Sequence, residues 1–343
     1  IGEFVHKNKQ SNNGKYPVFN GGRQNTGYYD EYNNTANKVI ISARGANAGF
    51  VNKVYTNFWA GNSCYSLSPI DSQKLNWEYL FYSLKNMETE LLNNQQTGSI
   101  PALSKRQIEE FYIPLPPIEV QEEIVRILDN FTKCTAELQA ELQAREEQYE
   151  YYRNKLLSFE GRTDVEYKKL GDNNVSVMQR GSSLTKKDAT EGPYPVISGG
   201  KTPAFYCDKF NREGETITVA GSGAGAGYVQ YWNEPIFVCD AFSVKGVNNN
   251  STKYLYYCLT NLQDKIYATK KGSGVPHVHI SSIDKFEIPL PPIEVQEEIV
   301  NILDKFETLV NDLSQGLPAE IEARQNQYEF YRNKLLSFKR LTT

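Results

Sequence analysis

This chain of 343 residues has little of what most catalytic and metal sites are built from. It holds three histidines and two methionines, and its five cysteines (Cys64, Cys134, Cys207, Cys239, Cys258) are widely scattered with no CxxC pair. That spacing excludes a zinc framework and reads as reduced thiols in a cytoplasmic protein. His277 and His279 form an HxH without a third ligand nearby, so no metal site is expected. No run of 18 apolar residues occurs, which gives no membrane helix, and no charged-then-apolar leader points to export. A P-loop is missing, which argues against ATP-driven work. The Pro116-Pro117 and Pro291-Pro292 pairs follow Leu and precede Ile. An amino-methyltransferase motif needs a polar residue before and an aromatic after, so an intact methyltransferase is remote. Nor is any Ser/His/Asp or Cys/His grouping apparent, and no catalytic residue is assigned.

What is present is an ordinary globular mixture, 39% hydrophobic and 23% charged. The net charge of −4 is unevenly spread. Residues 1–113 carry 11 basic against 9 acidic residues and residues 161–288 carry 15 against 13, each +2. Residues 114–160 stand at −5 and residues 289–343 at −3. The acidity therefore belongs to two segments, and the other two leave room for local positive surfaces.

Those four segments are two copies of one module. Pro114–Phe131 recurs at Pro289–Phe306 with 16 of 18 residues identical, and Tyr149–Phe159 recurs at Tyr328–Phe338 with 10 of 11. The offset grows from 175 to 179, so the second copy has gained four residues between the blocks. The remainder repeats more faintly. Tyr16-Pro17-Val18 and Gly21-Gly22 match Tyr194-Pro195-Val196 and Gly199-Gly200. Arg44-Gly45-Ala46-Asn47-Ala48-Gly49 matches Ser222-Gly223-Ala224-Gly225-Ala226-Gly227. Gly98-Ser99 and Pro101 match Gly272-Ser273 and Pro276. Framework glycines and prolines agree while the residues between them differ, a pattern suited to two related sites for different targets.

The near-identical blocks read as long helices. Prolines open them and early glutamates suit the positive end of the dipole. Ile124, Leu128, Phe131, Thr135, Leu138, Leu142, Arg145, Tyr149, Tyr152, Leu156 and Phe159 fall on alternating steps of four and three, a heptad seam. The second seam runs Ile299, Leu303, Phe306, Val310, Leu313, Leu317, Ile321, Arg324, Tyr328, Tyr331, Leu335 and Phe338. An extra four-residue step beside Gly316 and Pro318 predicts a stutter and a kink. An amphipathic helix this long must bury its stripe, and the other copy is the obvious partner. The expected fold is α+β. Two mixed α/β domains (1–113 and 161–288) are joined by two long antiparallel coiled-coil helices (114–160 and 289–343) with pseudo-two-fold symmetry.

In the globular parts, Lys38–Ala43 and Thr216–Ala220 read as buried strands, and new strands start after Gly49 and Gly227. Trp77–Leu84 and Tyr254–Leu262 look helical. Gly221–Gly227 could suggest a nucleotide fingerprint, but Tyr228-Val-Gln-Tyr-Trp after it reads as strand, which favours a strand-to-strand turn.

The two Pro-Leu-Pro-Pro-Ile-Glu-Val-Gln-Glu-Glu-Ile-Val blocks, each opening a long helix that ends in Tyr-Arg-Asn-Lys-Leu-Leu, resemble the specificity subunits of type I restriction-modification systems. The tandem Ala-Glu-Leu-Gln at 136–143 is similar to a short repeat of some members. The resemblance implies two target-recognition domains, each reading one half of a split site in double-stranded DNA. Paired helices would act as a ruler and dock modification (methyltransferase) subunits. It implies no cofactor in this subunit; S-adenosylmethionine, ATP and Mg would belong to modification and restriction subunits. Val165–Gly171 matches the family's opening strand, whereas the first copy begins past that point and reads as N-terminally shortened.

Candidate DNA-binding residues flank the framework glycines. In the first domain they are Lys15, Asn20, Arg23, Arg44 and Asn47. In the second they are Arg180, Lys186, Lys187, Lys201, Ser222, Lys270, Lys271 and His277. Arg and Lys suit phosphates or guanine, and Asn suits adenine. The alternative reading is a non-enzymatic coiled-coil scaffold whose two ligand-binding modules are not directed at DNA.

Overall fold

The computed structural model describes residues 2–93, 101–248, 250–272, 274–312 and 316–339. Gly98, Ser99, Ser273 and Leu313, used above, lie outside them. The chain divides into two compact units, residues 1–139 with 320–343, and residues 140–319. Each unit therefore takes one globular domain and a part of both helical segments.

In the first unit the strands are β1 (Tyr16–Phe19), β2 (Gly27–Tyr29), β3 (Lys38–Ser42), β4 (Val51–Val54), β5 (Trp59–Ala60) and β6 (Cys64–Leu67). Helices α1 (Trp77–Asn86), α2 (Glu88–Asn93), α3 (Lys105–Glu109) and the 40-residue α4 (Ile118–Leu157) follow. The second copy supplies β7 (Glu166–Lys169), β8 (Ser176–Arg180), β9 (Tyr194–Ile197), β10 (Phe205–Cys207), β11 (Thr216–Ala220), β12 (Val229–Trp232), β13 (Phe237–Val238) and β14 (Ala241–Gly246). Then come α5 (Thr252–Asn261), α6 (Gln263–Ala268), α7 (Ile280–Ile283), β15 (Glu287–Leu290), α8 (Ile293–Asn311) and α9 (Leu317–Leu335).

The domains share a plan. An antiparallel sheet ordered β4-β3-β6 in the first matches β12-β11-β14 in the second, and β2-β1-β5 matches β10-β9-β13, with the last pairing parallel in both. Val39 and Ile41 of β3 and Ile217 and Val219 of β11 are fully buried. One helix packs on each central sheet, α1 capped by the Asn76 side chain and α5 by Ser251. The second domain adds β8 beside β14 and pairs β7 with β15. The segment matching β15 in the first domain, residues 112–115, is coil, with Leu115 59% exposed.

The glycine-rich segment is the strand-to-strand turn that its sequence predicts, joining β3 to β4 and β11 to β12. Gly45 and Gly49 (φ +89° and +92°) and their counterparts Gly223 and Gly227 (+79° and +84°) take a conformation that L side chains resist. Framework prolines lock the turn. The Gly45 amide donates to Pro101 O (2.9 Å) and the Gly223 amide to Pro276 O (3.0 Å).

The helical blocks owe part of their identity to contacts inside the chain. Gln121 and Gln296 are buried in α4 and α8. Gln121 Oε1 accepts from the Asn76 amide (2.9 Å), and its Nε2 donates to Lys74 O and Pro116 O (both 2.8 Å). Gln296 accepts from the Ser251 amide (3.0 Å) and donates to Pro291 O (2.9 Å). Tyr79 and Tyr254 hydroxyls donate to Pro114 O and Pro289 O. Each block is thus bonded to the start of its own domain's helix.

In each unit the end of one helical segment lies beside the start of the other. Tyr331 stacks on Phe131 in the first unit (5.5 Å) and Tyr152 on Phe306 in the second (5.6 Å). The seam of α4 is buried or half-buried from Ile124 to Tyr149. Arg145, on this seam, is bonded to Glu141 and Gln148 of its own helix.

The second segment corrects the expectation of one kinked helix. It is two helices, α8 ending at Asn311 and α9 starting at Leu317. Pro318 has no N–H and would clash inside a continuous helix, but it is tolerated in a first turn. The Gly316 amide donates to Asp312 O (2.9 Å), and a β-carbon on Gly316 would meet the carbonyls of Thr308, Leu309 and Asp312.

Candidate nucleic-acid interface

The glycine turn of each domain gathers the side chains that could meet a ligand. In the first domain Arg23 Nε donates to Asn47 Oδ1 (3.3 Å), and its guanidinium lies 5.5 Å from the Phe50 ring centre. Arg44 is exposed on the same turn and forms an isolated bridge with Ala102. Arg23, Arg44 and Asn47 are therefore brought together. Asn20 is turned inward, its Oδ1 buried without a hydrogen-bond partner against Gly61. Lys15 is exposed just before β1, with no contact to the turn among the described residues.

In the second domain Lys201 stands where Arg23 does, with Nζ 5.2 Å from the ring centre of Tyr228, the counterpart of Phe50. The two domains thus place a cation over the aromatic ring that follows the second glycine, an attraction that holds the charge at the surface. Ser222, in the place of Arg44, bridges His277, which also bridges Lys271. Lys270 Nζ lies 4.1 Å from the Tyr267 ring centre. Arg180 joins this group across a small cavity of about 220 Å³ that His277, His279 and Asp240 also line. Lys186 and Lys187 are exposed on the β8–β9 connection, and Lys186 borders a different hollow with Tyr206.

Among the described residues, the ion pairs within 4.0 Å lie within α3, α4, α9 and β7, between α1 and α2, at the domain–helix contacts and on two connecting loops. None includes Arg23, Arg44, Arg180, Lys201, Lys270 or Lys271. Cations without a carboxylate partner are available to a phosphate-bearing ligand.

Sequence reasoning missed several members. Phe50 and Tyr228 were detectable as the aromatic that follows the second framework glycine in both copies. Asp240 and Arg212 carry no such mark. Arg212 Nη2 donates to Arg180 O (3.0 Å) and Nε to Ser243 Oγ (2.7 Å), supporting the strand end that carries Arg180. Burial lowers its pKa.

Residues 2–147 and 163–323 each match the family model described as type I restriction modification DNA specificity domain. The chain belongs to this family. It is a DNA-recognising specificity subunit, the component of such complexes without a catalytic role. A type I restriction enzyme specificity subunit of Escherichia coli is 32% identical over 303 residues, covering 79% of this chain and 73% of that one. A Haemophilus influenzae sequence thought to be another such subunit is 31% identical over 309 residues, 82% and 77% of the two chains. In fold, the chain is similar to the crystal structure of a type I S subunit from M. genitalium. The TM-score is 0.73 at 20% identity, over 99% of this chain and 93% of that one. Among the described residues no helix is long and apolar enough to cross a membrane.

Proposed function

We propose that this specificity subunit reads a bipartite site in double-stranded DNA, one half-site per domain, in the cytoplasm. The observation that carries the reading is the repeated turn. Two domains hold one backbone, pinned by the same glycines and prolines, and offer Arg23, Arg44 and Asn47 in one case and Lys201, Ser222, Lys271 and His277 in the other. A shared frame supplies similar phosphate contacts, and different side chains supply different base contacts.

The helical segments serve as the docking surface for modification subunits. Tyr151 (59% exposed) and its counterpart Phe330 (60%) lie outward within the near-identical blocks, beneath Lys155 and Lys334 respectively. Repeated exposed rings suit two copies of one partner. On this reading S-adenosylmethionine is bound by the modification subunits, and ATP and magnesium serve the restriction subunits.

The test is co-purification with the modification subunits, followed by methylome sequencing of cells expressing the pair. A single split methylated motif is the expected result; no partner and no motif would favour a scaffold with other ligands. Charge reversal of Lys270 and Lys271 together should weaken DNA binding by the complex and flatten its salt dependence by up to about two in log–log slope. Unchanged binding across a salt series would remove both from the interface.

A further inference from the structure

The carboxylate of Asp240 is out of place on a surface otherwise arranged for phosphates. It is exposed, on the two-residue link between β13 and β14, and lines the cavity shared with Arg180, His277 and His279. Among the described residues no cation pairs with it within 4.0 Å. One oxygen accepts from the Ser222 hydroxyl. The other lies 3.2 Å from where a β-carbon on Gly221 would stand. The Asp240 carbonyl accepts from the Gly221 amide (3.0 Å).

The first domain shows that this backbone contact does not need a carboxylate. There the Ala43 amide donates to Ser63 O (2.8 Å), which puts Ser63 in the place of Asp240, Ala43 in that of Gly221 and Arg44 in that of Ser222. Three neighbouring positions have therefore changed together. A cation on the turn with a serine behind it has become a serine on the turn with an anion behind it. Gly221 leaves room for the carboxylate, and Ser222 fixes its orientation.

We propose that Asp240 is a specificity-determining residue of the second domain, accepting a hydrogen bond from the exocyclic amino group of a cytosine in the major groove. The inference rests on the DNA-reading function above. An exposed carboxylate repels phosphates, so in this setting it serves a donor, and cytosine N4 is the base-edge donor that aspartate and glutamate read. The first domain carries the opposite sign at a neighbouring position of the same turn, with Arg44 in the place of Ser222 and neutral Ser63 in that of Asp240. There Arg44 suits guanine O6 and N7. Under this turn the two half-sites differ in which base edge is required.

The experiment compares methylomes of the intact modification complex carrying wild-type chain, Asp240→Ser or Asp240→Asn. Asp240→Ser installs the residue that the same backbone already accepts in the first domain, and Asp240→Asn preserves size. The expected result is loss of one required cytosine in one half of the motif by Asp240→Ser. Preference there should fall about ten-fold or more, with the other half unchanged and binding to unrelated DNA equal or tighter at low salt. Asp240→Asn should also change the preference at that position, since an amide can read adenine. Unchanged motifs in both variants would overturn the proposal. So would loss of methylation and of unrelated-DNA binding together in both, which would assign Asp240 to the fold. A wild-type complex with no split motif would instead overturn the underlying reading, and this one with it.

Discussion

In the first unit a lysine reaches the long helix from a strand; in the second it reaches it from a helix. Lys53 on β4 pairs with Asp129 of α4 (3.1 Å), and Lys253 on α5 pairs with Asp304 of α8 (3.3 Å). The strand position of Lys53 holds Tyr231 in the second copy, and the helix position of Lys253 holds Glu78 in the first. The tyrosine between them has not moved, since Tyr82 and Tyr257 each donate to the aspartate. A point charge at the end of a flexible stem can come from either element and still arrive at the same carboxylate. Gln121 and Gln296 show the opposite behaviour. Their planar amides must meet an amide donor and carbonyl acceptors at fixed angles, so only one position serves. The same contrast runs through the glycine turn proposed to face DNA. Glycines that set the backbone are retained, and the side chains between them are exchanged.

The largest effect is expected at the glutamines. Gln121→Ala and Gln296→Ala each leave buried backbone groups without partners, at a cost of about 2 kcal/mol each. Denaturant unfolding with hydrogen exchange resolved along the chain would measure it, with loosening confined to the unit that carries the substitution. Stability unchanged by either would mean that the near-identity of the blocks is owed to their surface alone.

A smaller effect tests whether the lysine is interchangeable between elements. Lys53→Tyr alone should destabilise the first unit by about 1 kcal/mol, and adding Glu78→Lys should return most of that, because the pair rebuilds the second unit's arrangement. A double-mutant cycle reads the coupling. Additive losses would show that the two contacts are not equivalent.

The smallest effect is from the tyrosines, whose contribution changes with pH only in alkali. Burial raises the Tyr82 and Tyr257 hydroxyls well above their ordinary value of 10, and the neighbouring carboxylates raise them further. Below about pH 10 the phenol is protonated in both folded and unfolded chain, so its contribution is fully present. Above pH 10 the unfolded chain ionises first and stability falls as pH rises. Among the described residues burial raises six tyrosines of the second unit (Tyr149, Tyr231, Tyr254, Tyr256, Tyr257, Tyr267) and four of the first (Tyr55, Tyr79, Tyr82, Tyr328), so the second unit should open first. Hydrogen exchange at increasing pH, corrected for intrinsic rate, would show the order; simultaneous opening would contradict it.

What the sequence settled by itself is what local chemistry dictates. The duplication, the long helix α4, the buried strands β3 and β11 and the strand-to-strand turn were legible because each leaves a short-range pattern. These are a repeat, a seam spaced by helical geometry, an apolar run and glycines at positions of positive φ. Proline and glycine also marked the interruption near residue 316, though the pattern could not distinguish a kink from two helices. The tertiary structure alone decided which distant side chains share a place. Gln121 looks like one polar residue among glutamates until it is seen 45 residues from the amide it accepts. Asn20 stands beside the framework glycines yet faces inward. Asp240 meets Ser222, and Ser222 meets His277, only because strand pairing folds three segments onto one turn. Contacts closed over such distances depend on packing geometry, which no local pattern of residues records.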